Sequence, residues 1–72
     1  MDIFAYLRKA VHELVGIPEE DITPESTPRD LRLDSFDVEE LVLDVEREFD
    51  VFLPEEAKFE TLEELAQLVV AA

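Results

Sequence analysis

The chain has 72 residues, with 20 acidic side chains against 6 basic ones and a net charge of −14. A field of that size and sign repels nucleic acid and anionic membrane, and steers instead toward basic protein surfaces. With no cysteine and a single histidine, His12, neither a disulfide framework nor a Cys/His zinc site is available.

The length corresponds to one small domain, expected to span residues 1–72. A chain this short buries only about 60% of the surface it exposes when unfolded. Its 47% apolar content is nevertheless enough for a core. The opening M-D-I-F-A-Y-L-R lacks the pattern of a secretion signal, and no apolar run nears the roughly 18 residues of a membrane span. Composition therefore points to a cytoplasmic protein that does not insert into membranes, expected as a monomer.

Ile3, Phe4, Leu7, Ala10, Val11, Leu14 and Val15 recur at spacings of three and four. That period predicts an amphipathic helix, with Arg8, Lys9 and His12 off its apolar arc. Asp2 is placed to cap it and Gly16 to stop it. Residues 17–33 hold three of the four prolines and no sustained period, which reads as a long loop pinned inward by Ile17, Ile22, Leu31 and Leu33. Loops longer than about 12–15 residues in compact domains are usually functional or disordered. Within it, Thr27-Pro28-Arg29-Asp30 has the signature of one capped helical turn.

A second helix is expected from Asp34 or Ser35 to about Asp50. At about 100° per residue, Val38, Leu41, Val42, Val45 and Phe49 form a core stripe. Phe36 and Leu43 fall together on the opposite side, among Glu39, Glu40, Glu46 and Arg47. Such residues can be incidental surface apolar side chains, or a docking face in which apolar anchors give affinity and the surrounding charge gives orientation. The pairing of two anchors beside Ser35 favours docking. Pro54-Glu55-Glu56-Ala57 is read as a short fourth helix or turn. Thr61-Leu62-Glu63-Glu64 is read as a capping box opening a last helix through Val70. The architecture is all-α, a small bundle of three main helices and a short fourth.

Ser35 admits several readings. It can cap the second helix, a job Asp34 can equally do. As a catalytic nucleophile it lacks a base and an oxyanion hole, since His12 is on the polar side of the first helix and no glycine is near. A calcium loop fails because Phe36 follows Asp34 by two residues and no glycine comes after. No metal site is expected, only loose screening by divalent cations. The remaining reading is covalent modification, a hydroxyl offering a phosphate ester to the positive end of a helix.

Asp30-Leu31-Arg32-Leu33-Asp34-Ser35-Phe36-Asp37 resembles the D-L-G-x-D-S-L-D signature of acyl carrier proteins. Glu40-Leu41-Val42-Leu43, Val45-Glu46-Arg47-Glu48-Phe49 and Leu53-Pro54-Glu55-Glu56 resemble that family's second helix and its continuation, so the likeness runs from about Ile3 to Val70. It implies a four-helix fold with a long first loop, and a carrier rather than an enzyme. It further implies a 4′-phosphopantetheine arm on Ser35, with Asp34 beside it, transferred from coenzyme A by a phosphopantetheinyl transferase. The arm's thiol would hold acyl groups as thioesters for enzymes of fatty acid or related acyl-chain biosynthesis with basic docking patches. Asp37 would meet basic residues of the transferase, and Phe36, Glu40, Leu43 and Glu46 match partner-contact positions. Alternatives are a specialised carrier, for polyketide, lipid-modification or aminoacyl transfer, and a carrier-like interaction module that is never modified. The sequence departs from the signature at Arg32, where glycine is usual, at Phe36, where leucine is commoner, at Glu39, often apolar, and between Pro54 and Thr61, about two residues short.

Overall fold

The computed structural model describes residues 2–54 and 57–72. Helix α1 spans Ile3–Val15, α2 Ser35–Phe49 and α3 Leu62–Ala71, and the described residues contain no strand. The chain is therefore all-helical, as its periodicity predicts. A short 3₁₀ turn at Glu19–Asp21 was not expected from the sequence. It is all-acidic with no periodic apolar residue to announce it. The short fourth element placed at Pro54–Ala57 includes Glu55 and Glu56, outside the described residues; its flanks are joined by a 2.9 Å hydrogen bond from the Ala57 N–H to the Pro54 carbonyl. Among the described residues the α-helices number three, not four.

The caps explain the boundaries. The Asp2 carboxylate accepts from the Ala5 N–H at 3.1 Å, and Gly16 ends α1 at φ 81°, a left-handed conformation that glycine adopts without a side-chain clash. Asp50 ends α2 in the same region at φ 53°, where the short polar side chain of Asp is among the better tolerated. Helix α3 opens on Thr61, whose Oγ1 accepts from the Glu64 N–H at 3.2 Å. The expected capping box is altered: the Glu64 carboxylate reaches the Glu60 N–H at 2.7 Å, one residue before the cap.

Each helix sends its apolar stripe to one centre. Leu7 and Val11 of α1, Leu41 and Val45 of α2, and Leu62, Leu65 and Val69 of α3 are buried, with Leu53. The long loop contributes Ile22, Leu31 and Leu33 to the same core, and Ile17 packs against it. Each fully buried side chain of this kind contributes about 1.5–3 kcal/mol. Tyr6 and Phe49 pack edge to face at 5.3 Å, fixing α1 against the end of α2.

The loop is bonded as well as pinned. Ser26 is buried, its Oγ accepting from the Thr23 N–H at 3.0 Å. The carbonyls of Ser26 and Pro24 accept from the Leu62 and Glu63 N–H groups at 3.0 and 2.9 Å. These two amides, in the first turn of α3, have no partner within their own helix.

Candidate functional site

The site is built by the segment that delivers α2. Thr27 and Asp30 cap each other, Asp30 N–H to Thr27 Oγ1 at 3.0 Å and Thr27 N–H to Asp30 Oδ2 at 3.2 Å. One helical turn follows and closes with Arg32 N–H to the Arg29 carbonyl at 3.1 Å and Leu33 N–H to the Pro28 carbonyl at 2.8 Å. This is the bonding of a helix end whose closing residue is left-handed. That residue is Arg32, at φ 59°. Leu31 and Leu33 on either side are buried, so the backbone turns Arg32 out to solvent.

Asp34 then caps α2. Its Oδ1 accepts from the Asp37 N–H at 2.8 Å, and Asp37 Oδ2 accepts from the Asp34 N–H at 3.3 Å. This reciprocal box answers the question left open at Ser35. Asp34 and Asp37 fill the capping role, and Ser35 is the first residue of the helix, exposed, with its hydroxyl left out of the cap. It stands at the positive end of a 15-residue helix. His12 is engaged elsewhere, its Nδ1 2.7 Å from the Ile17 carbonyl, so it offers Ser35 no base.

The flanking groups are exposed or half-buried along one side of α2. Phe36 is 78% exposed and Leu43 42%, while Leu41 and Val45 are buried on the opposite side, as the two-faced pattern predicts. Glu40 is half-buried. Glu46 is committed in part: its Oε2 accepts from the Leu53 N–H at 2.7 Å, tying the chain beyond α2 back to the helix. Sequence reasoning missed Phe52, 78% exposed next to Leu53. A groove of about 860 Å³ lies between α2, this segment and α3, walled by Val42, Leu43, Phe52, Phe59 and Leu68 among others.

The residues fit a phosphate ester on Ser35. The hydroxyl is free and accessible, and the amide dipoles of α2 favour an anion there. Asp34 and Asp37 oppose it by charge, but each is already engaged in the cap and exposed to screening water. Among the described residues no cluster of three His, Cys, Asp or Glu side chains is arranged to hold a metal ion.

The family model of the phosphopantetheine attachment site matches residues 5–69. The chain belongs to this family. The carrier domain is thus the attachment site of a covalent 4′-phosphopantetheine group, and its partners are in general a phosphopantetheinyl transferase and acyl-handling enzymes. Domains of this kind generally hold groups rather than transform them. No helix among the described residues is long and apolar enough to cross a membrane.

Proposed function

We propose that residues 1–72 are a single carrier domain in which Ser35 takes the 4′-phosphopantetheine arm. We further propose that the chain ferries acyl intermediates of fatty acid or related biosynthesis in the cytoplasm and catalyses nothing itself. The observation that carries this reading is the division of labour at α2: Asp34 and Asp37 cap the helix, leaving an exposed hydroxyl at its first residue inside the family match. When bound, the group supplies a long arm ending in a thiol that holds an acyl group as a thioester. The chain supplies the rest. Ser35 Oγ is the accepting oxygen: it takes the phosphopantetheine as the pyrophosphate P–O bond of coenzyme A breaks and the adenosine bisphosphate leaves. Its proton goes to a base on the transferase, because His12 is held at the Ile17 carbonyl and the Asp34 and Asp37 carboxylates are engaged in the cap. Asp34 and Asp37 turn their remaining acceptor capacity outward, toward basic residues of that enzyme. Phe36, beside Ser35, is the apolar contact next to the reacting hydroxyl, and Glu40 and Leu43 continue the docking face along α2.

The test is intact mass after incubation with coenzyme A, Mg²⁺ and a broad-specificity transferase. The chain should gain one phosphopantetheine, and Ser35→Ala none. No gain, with the transferase active on another carrier, would refute the assignment and leave an unmodified interaction module. A specialised carrier is the second reading, favoured by the exposed cation Arg32 and the bulky Phe36 beside the serine. Loading by a panel of acyl-transfer enzymes separates the two, and failure with every fatty acid partner would exclude general fatty acid synthesis.

A further inference from the structure

Two side chains hold a left-handed backbone, Asp50 and Arg32. Asp is a type that tolerates the region and Arg is not. Strained residues of this kind persist where their surroundings over-determine them, most often beside functional sites. The turn supplies that constraint: the N–H groups of Arg32 and Leu33 are bonded back to Arg29 and Pro28, and Leu31 and Leu33 are buried on either side. The Arg32 side chain is thus exposed from a fixed base. Among the described residues the ion pairs are Arg8–Glu19 and Arg47–Asp44, so the Arg32 guanidinium takes no carboxylate. Neighbouring acids already accept from backbone amides: Asp30 from Thr27, Asp34 from Asp37, and Asp37 from Asp34. A chain with 20 acidic side chains leaves this cation unpaired, three residues before Ser35.

We propose that Arg32 is the counterion of the phosphodiester that the arm forms on Ser35, and so positions the root of the arm. The proposal rests on the carrier reading above and assigns one further residue to the same site. A phosphodiester keeps one negative charge at neutral pH, added here to a chain already at −14. The guanidinium fork matches two phosphate oxygens at once, a geometry that a lysine ammonium lacks. Three residues of chain span at most about 10 Å, a gap that a long Arg side chain closes from one side and the ester from the other. Both partners belong to one chain, so the pair forms at high effective concentration. Of the 6 cations Arg32 is the nearest to Ser35 in sequence, and the next, Arg29, stands at the start of the turn. The pair draws the root of the arm toward the incoming loop and away from the carboxylates of α2.

The experiment compares isotope-labelled chain before and after the transferase attaches the arm, at about 0.05 M salt, where an exposed pair is little screened. On attachment the Arg32 Nε–H resonance should shift, and its exchange with water should slow roughly two- to sixfold, as for an exposed ion pair. The Arg29 Nε–H should not respond. Raising salt to about 1 M should return both readouts toward their values before attachment. The phosphorus resonance of the arm should move in Arg32→Gln, and by less in Arg32→Lys, which keeps the charge without the fork. Arg29→Gln removes an equal charge farther off and should leave the phosphorus resonance in place. An Arg32 resonance unchanged by attachment, a phosphorus resonance indifferent to Arg32→Gln, or an equal response to Arg29→Gln would each overturn the proposal. The first is read on the unsubstituted chain, so it decides even where a variant takes the arm slowly. Intact mass keeps the two readings apart: no arm on the unsubstituted chain ends the carrier reading, whereas full attachment with a silent Arg32 ends only the pairing.

Discussion

Replacing Arg32 by glycine is expected to stabilise the domain, although it removes a cation from a chain with 6 of them. Arg32 sits at φ 59° with its N–H and that of Leu33 committed to the turn behind it, and both neighbouring leucines are buried. The backbone therefore cannot relax without undoing the approach to α2. A side chain in the left-handed region costs roughly 1–2 kcal/mol, which glycine avoids. Glycine also adds freedom to the unfolded chain, worth about 0.4–1 kcal/mol in the other direction. The difference is a gain of roughly 0.5–1 kcal/mol, or an increase in Tm of about 3–7 °C for a domain of this size. Arg32→Ala is the control, since it loses the same charge and keeps the strain. Thermal unfolding followed by circular dichroism should rank glycine above alanine by about 1 kcal/mol. Equal stability of the two variants would refute the argument from backbone conformation.

Removing the α2 cap with Asp34→Ala should cost about 1 kcal/mol, while Ser35→Ala should stay within about 0.5 kcal/mol of the parent; denaturant unfolding compares them. Raising salt or adding millimolar Mg²⁺ should raise Tm, because the described ion pairs, Arg8–Glu19 and Arg47–Asp44, neutralise few of the carboxylates. A flat salt dependence in a melting series would contradict this. Burial, then the Asp44 carboxylate, pushes the Tyr6 phenol above its ordinary value of 10.0. A pKa raised in the folded state stabilises fully below the unfolded value and is lost as pH rises through the folded one. Melting curves taken above about pH 10 should therefore fall faster for the parent than for Tyr6→Phe, which has no phenol to ionise.

Much of this was legible in the sequence because local signals agreed with the global fold. Asp2 and Gly16 bracket α1 where its apolar period begins and ends, and the two-faced pattern of α2 correctly separates Leu41 and Val45 from Phe36 and Leu43. The start of α2 stayed open between Asp34 and Ser35 because both residue types cap well, and only the Asp37 partner decides between them. Arg32 was visible as bulk and charge, but its left-handed backbone depends on the bonds of the turn before it. Phe52 was hidden in Val51-Phe52-Leu53, which reads as one apolar run until the bonds to Glu46 show which side chain must face out. Glu46 read as a partner-contact carboxylate on the outer face of α2, and its bond to Leu53 joins residues seven apart across a helix end, a pairing no period announces.

The first turn of α3 is completed by carbonyls from Pro24 and Ser26, nearly forty residues earlier in the chain. Uncapping that turn would leave two amide groups unpaired, so the long loop and the last helix open together or not at all. They form one cooperative unit despite lying at opposite ends of α2 in sequence. In native-state hydrogen exchange, the Leu62 and Glu63 amides should be protected as in the interior of a helix, with the same opening free energy as the Ser26 amide. Closing so long a separation also places this unit late in folding, after α1 and α2 have formed from their own local contacts.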